Sequence, residues 1–136
     1  MSQFTLITSI QLYKIMAQII AIRNLENRLK GDTFPSVTFT LTDSLGDPTD
    51  LTGATLLLQF RRGSELGAIA LQVTDGSGLT VATPTNGIVV LDSWEPITWE
   101  IGTYYYDLQI TFAGTTGKIK TPVKGTVEIE QDTSNI

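Results

Sequence analysis

The chain of 136 residues predicts an all-β antiparallel sandwich, and three observations carry that prediction. From Tyr104 to Phe112 the even positions are Tyr, Tyr, Leu, Ile and Phe, and the odd ones Tyr, Asp, Gln and Thr, the period-2 pattern of a long strand with one buried face. From Ala17 onward, short apolar runs are separated by Gly, Asp, Asn and Pro at the spacing of a sandwich or barrel. Charged residues make up only 17%, and the abundance of Thr, Gly, Leu and Ile suits strands and turns rather than disorder. A chain of this length buries enough surface to fold without a metal or a disulfide.

Taken in order, the chain divides into an apolar N-terminal arm, residues 1–23, and a sandwich, residues 24–136. The arm carries Phe4, Leu6, Ile7, Ile10, Leu12, Tyr13 and Ile15, which we expect to form an interface with a neighbouring subunit. Gln3, Gln11, Lys14 and Gln18 interrupt it, so it reads poorly as a membrane span, and Met1-Ser2-Gln3 lacks the basic start of a signal peptide. Translation from Met16 is the alternative reading of the same stretch.

A strand is expected at 18–23 and another at 28–30. In 36–42, Val37, Phe39 and Leu41 alternate with Ser and Thr, which marks one inward face. Residues 43–48 turn the chain, and Asp50-Leu51-Thr52-Gly53 closes a loop through an Asx turn with Leu51 as its buried plug. In 55–61, Leu56, Leu58 and Phe60 face inward; 68–74 and 79–82 follow, each after a glycine-containing turn. Asn86-Gly87 is a type I′ hairpin signal joining 79–82 to 88–91. The stretch 92–101 crosses to the other sheet, with room for a helical turn near Pro96. Gly102 to Phe112 is the central strand, and Tyr104 at its start matches a tyrosine corner. After Gly114 to Gly117 the chain returns through 118–120 and 123–130, where Pro122 and Gly125 point to an edge or a bulge. The expected core is Val37, Phe39, Leu41, Leu56, Leu58, Phe60, Tyr104, Tyr106, Leu108, Ile110, Val127 and Ile129.

Five segments occur in an order that carries a resemblance: Gly31-Asp32-Thr33-Phe34-Pro35, Phe39-Thr40-Leu41-Thr42-Asp43, Asp50-Leu51-Thr52-Gly53-Ala54-Thr55, Asn86-Gly87, and Gly102 through Leu108. Across residues 24–131 the chain resembles the immunoglobulin-like domain of tailed-phage virion proteins, the kind found at the N-terminus of phage baseplate upper proteins. The resemblance implies an immunoglobulin-like sandwich and a non-enzymatic structural component of a virion, in tail, neck, baseplate or capsid. Its implied partners are other virion proteins and further copies of itself, with synthesis in the cytoplasm of a bacterial host.

The residue chemistry works mainly by exclusion. With no histidine and no cysteine, Ser-His-Asp and Cys-His nucleophiles and thiolate or imidazole metal sites are absent. No phosphate-cradling glycine motif is present, and no cofactor is expected. Net charge −5 with pI about 4.5 leaves no basic footprint for nucleic acid, and no membrane partner is expected. Asp43, Asp47 and Asp50 lack EF-hand spacing and read as a solvated turn rather than a Ca²⁺ site. Arg61-Arg62 reads as a solvated or interface turn. Trp94-Glu95 and Trp99-Glu100 form the sharpest alternative: indoles beside carboxylates can contact sugar, and paired carboxylates can cleave glycosides. The primary reading is that Trp94 and Trp99 cap the core; a carbohydrate-binding module using both is the alternative function.

Overall fold

The computed structural model describes residues 21–95, 97–114 and 118–133. The interface residues expected in the arm, Phe4, Leu6, Ile7, Ile10, Leu12, Tyr13 and Ile15, lie outside them.

Among the described residues nine strands follow one another: β1 (Ala21–Ile22), β2 (Arg28–Leu29), β3 (Val37–Thr40), β4 (Thr55–Arg62), β5 (Ile69–Asp75), β6 (Gly78–Thr80), β7 (Ile88–Leu91), β8 (Gly102–Thr111) and β9 (Ile119–Glu130). Their hydrogen-bonded order is β1-β9-β8-β4-β5-β6-β7-β3, with β2 also on β9. The path turns at β5 and β6, which share two parallel pairs, Thr74 with Gly78 and Asp75 with Leu79. One layer is therefore β1/β2-β9-β8-β4-β5 and the other β6-β7-β3. This is the strand order of an immunoglobulin-like sandwich, with a broken first strand running parallel to the last. Ala21, Ile22 and Arg23, which the sequence reading placed in the arm, belong to this parallel contact.

All twelve residues expected in the core are buried, and Phe34, Leu51, Val73, Leu79, Val89, Leu91, Ile97 and Val123 join them. Immunoglobulin domains join their layers with a disulfide packed on a tryptophan. Here aromatic rings span the gap: Phe39 of β3 lies 6.0 Å from Tyr106 of β8, which in turn lies 5.4 Å from its neighbour in the same layer, Phe60 of β4. Large side chains on alternate positions fill the interlayer space that a cystine would leave thin.

A second cross-layer tie begins at Arg23. Its guanidinium donates to the Thr38 carbonyl at 2.5 Å and lies 5.1 Å over the Phe39 ring. Its own carbonyl accepts the Tyr106 hydroxyl at 2.6 Å. The neighbouring Asn24 carboxamide oxygen accepts from the Thr126 amide and hydroxyl. The chain passes so close to β9 here that a Cβ on Gly125 would overlap the Arg23 carbonyl, which explains a glycine inside a strand.

The structure corrects several local expectations. Asn86-Gly87 does not form a two-residue type I′ turn, because only Gly87 has positive φ there. Pro84–Asn86 form a 3-10 turn capped by Gly87, and β6 ends at Thr80. Gly87 is needed because Leu41 and Thr49 backbone atoms close over it. The 92–101 crossing carries no helix among the described residues. Between 119 and 130 there is one strand, with a register shift against β8 at Leu108 to Ile110. Pro122 falls in that shift, where no ladder donor is required. The strand is not an edge, since β1 and β2 cover its far side.

Candidate functional site

The two Trp-Glu pairs come together at the end of the sandwich where β8 begins. Main-chain bonds between Phe34 and Trp94 (2.7 and 3.1 Å), and from Gly31 to Ile97 and Ile97 to Asp32, strap the crossing onto the segment before β3. Trp94 stacks on Phe34 at 4.0 Å and Trp99 on Tyr104 at 4.5 Å, with Phe60 5.1 Å from Trp99. Each indole therefore has a ring face already covered by a core aromatic. The Glu95 carboxylate accepts from the Thr33 hydroxyl at 2.7 Å, and Glu100 lies 3.6 Å from the Lys30 ammonium. Trp94 and Trp99 cap the core, as the primary reading expects.

Two tyrosines anchor the start of β8. The Tyr104 hydroxyl donates to the Glu100 carbonyl at 2.6 Å, four residues upstream, which is the tyrosine corner expected from sequence. Burial raises its pKa, against the opposing pull of Arg62. Burial likewise pushes the Tyr106 phenol up to about 12, outweighing the Arg23 charge. These are locked neutral donors, unsuited to proton transfer near neutral pH.

Asp43 and Asp50 are also committed. One Asp43 carboxylate oxygen accepts the Leu45 and Asp47 amides. Asp50 accepts the Thr52 hydroxyl and amide, and those bonds hold its carboxyl below the usual range. Leu51 is buried beneath that turn. Among the described residues no cluster of acids could hold a metal ion.

What remains is the outer face of the β9-β8-β4-β5 layer, which no helix among the described residues covers. Its register sets two rows across the strands. One holds Arg61, Tyr105 and Thr126; the next holds Gln72, Gln59, Asp107 and Lys124. Arg61 donates to the Gly67 carbonyl at 2.9 Å and to Gln59 at 3.2 Å, and Gln59 donates to Gln72 at 2.7 Å. Lys124 pairs with Glu65 at 3.1 Å. Desolvation raises the Asp107 carboxyl, Arg61 and Lys124 pull it down, and Glu65 pushes it up. Neither the Asp107 carboxylate nor the Tyr105 hydroxyl has a hydrogen-bond partner among the described residues. Sequence reading placed both on the polar face of the central strand but assigned them no role. The signal was an aspartate beside a tyrosine on a strand otherwise lined outside by Thr and Gln.

No family model matches the chain, and no curated protein matches it. Among the solved structures that match is the crystal structure of CopC from Methylosinus trichosporium OB3b, at 12% identity and a TM-score of 0.42, covering 78% of this chain and 87% of that one. That match is not to a virion protein, and the expected function as a tailed-phage virion component docking other virion proteins is withdrawn.

Proposed function

We propose that the protein is a non-enzymatic interaction domain that binds another protein surface through the outer face of its β9-β8-β4-β5 layer. The observation that carries this reading is the Asp107 carboxylate. It is exposed on the outer face with Arg61 on one neighbouring strand and Lys124 on the other, and the Tyr105 phenol lies two residues away on the same face. Charges fixed at set positions on an exposed strand face can pair with complementary groups on a partner surface. Tyrosine and arginine are residue types enriched where protein surfaces meet. Charges of both signs on the face, with net charge −5 for the chain, favour a protein surface over a polyanion.

Hydroxyl-radical footprinting tests this. Tyr105 should be labelled readily in the dilute purified protein and be protected about fivefold or more inside intact producing cells, as expected for a residue at an interface core. Equal labelling in both settings overturns the reading.

A further inference from the structure

The partner's identity follows from the pattern on β8, and the inference rests on that face being the binding surface. We infer that the partner is a second copy of this chain, packed face to face with the β8 strands antiparallel.

Tyr105 and Asp107 are neighbours on one face of one strand, a donor and an acceptor two residues apart. A two-fold axis lying between the two sheets, perpendicular to β8 at the level of Tyr106, exchanges their levels. Tyr105 of one protomer then faces Asp107 of its partner, twice, as an isologous contact requires. The flanking strands obey the same operation. Arg61 shares the level of Tyr105, and Gln59 that of Asp107, so Arg61 of one copy faces Gln59 of the other. On the other side Thr126 shares the level of Tyr105, and Lys124 that of Asp107, so Lys124 faces Thr126. No like charges oppose one another, and each Arg61 lies diagonal to the second copy's Asp107.

The alternative two-fold, parallel to the strands, places Asp107 directly over Asp107. Two partly desolvated carboxylates brought together repel, and one is forced to take up a proton. The face is thus complementary to itself in one orientation and repulsive in the other. Sheets stacked this way sit about 10 Å apart, a distance that Tyr and Arg side chains from both faces can span.

The test is sedimentation velocity on the full chain from about 10 µM to about 500 µM, a range that resolves weak dimers. A monomer–dimer equilibrium is expected. Asp107→Lys should raise its Kd at least tenfold by setting a third cation among Arg61 and Lys124. Tyr105→Phe, which keeps the ring and removes the hydroxyl, should raise it several-fold. Both positions lie on the outer face, and a far-ultraviolet spectrum confirms that each variant folds. A wild-type chain that stays monomeric throughout, or a dimer unaffected by Asp107→Lys, overturns the second-copy inference. If Tyr105 is nevertheless protected in cells, the face still binds and its partner is a different protein. If it is not protected, the interaction reading falls as well.

Discussion

At the residue scale, the contacts around Arg23 show how much one crossing point governs. The Tyr106 hydroxyl, the Gly125 hydrogen and the Thr38 carbonyl all meet the same short stretch of backbone or its guanidinium. Gly125→Ala should cost about 2–4 kcal/mol, because the methyl collides with backbone that cannot withdraw without breaking the β1–β9 pairing; urea unfolding measures it. Tyr106→Phe removes a part-buried bond to the Arg23 carbonyl and should cost about 1 kcal/mol near neutral pH. The pH dependence has a definite sign. Burial holds the folded-state pKa of Tyr106 at about 12, above the ordinary phenol value of 10.0, so the folded state holds the proton more tightly. Its contribution is complete below pH 10 and is lost as pH rises through 12. The stability gap between wild type and Tyr106→Phe should therefore narrow over that window, and a gap that widens would refute the assignment.

At the element scale, β8 is the strand that its alternation announced. Its inward residues Tyr104, Tyr106, Leu108 and Ile110 are at most 3% exposed. Phe39→Ala or Leu108→Ala should cost about 2–5 kcal/mol. A loss below about 0.5 kcal/mol would mean the faces are reversed. Strand faces were legible because a period of two leaves one inward set. The Asn86-Gly87 turn was misread because the dipeptide is a local signal, whereas the β6–β7 connection is set by Leu41 and Thr49 closing over Gly87. The same limit hid the aromatic straps, since nothing in the spacing of Phe34 and Trp94 shows that they stack. Trp99→Ala should lower stability by about 2–4 kcal/mol through the lost packing on Phe60 and Tyr104. Unchanged thermal stability would show that the indole is not a core cap.

At the scale of the whole molecule, the two layers are closed by rings and by the Arg23 tie, and the interior needs no disulfide or metal to hold them. Composition and period sufficed for the all-β class, because twelve inward positions repeated along several strands overdetermine which faces meet. The outer face was not legible in this way. A polar position on a strand looks the same whether water or a protein surface covers it, and only the register brought Arg61, Asp107 and Lys124 into adjacent strands. The inner face supplies stability, and association is the role proposed for the outer face. That separation is tested most directly by the melting temperature as a function of protein concentration, since association of folded chains raises it by mass action. Wild type should melt higher as concentration rises. Asp107→Lys should move less with concentration, starting from a dilute value lowered by the repulsion of its new cation from Lys124 and Arg61. A wild-type melting temperature that does not move with concentration would contradict the account, as would an Asp107→Lys variant whose melting temperature rises with concentration as steeply as that of wild type.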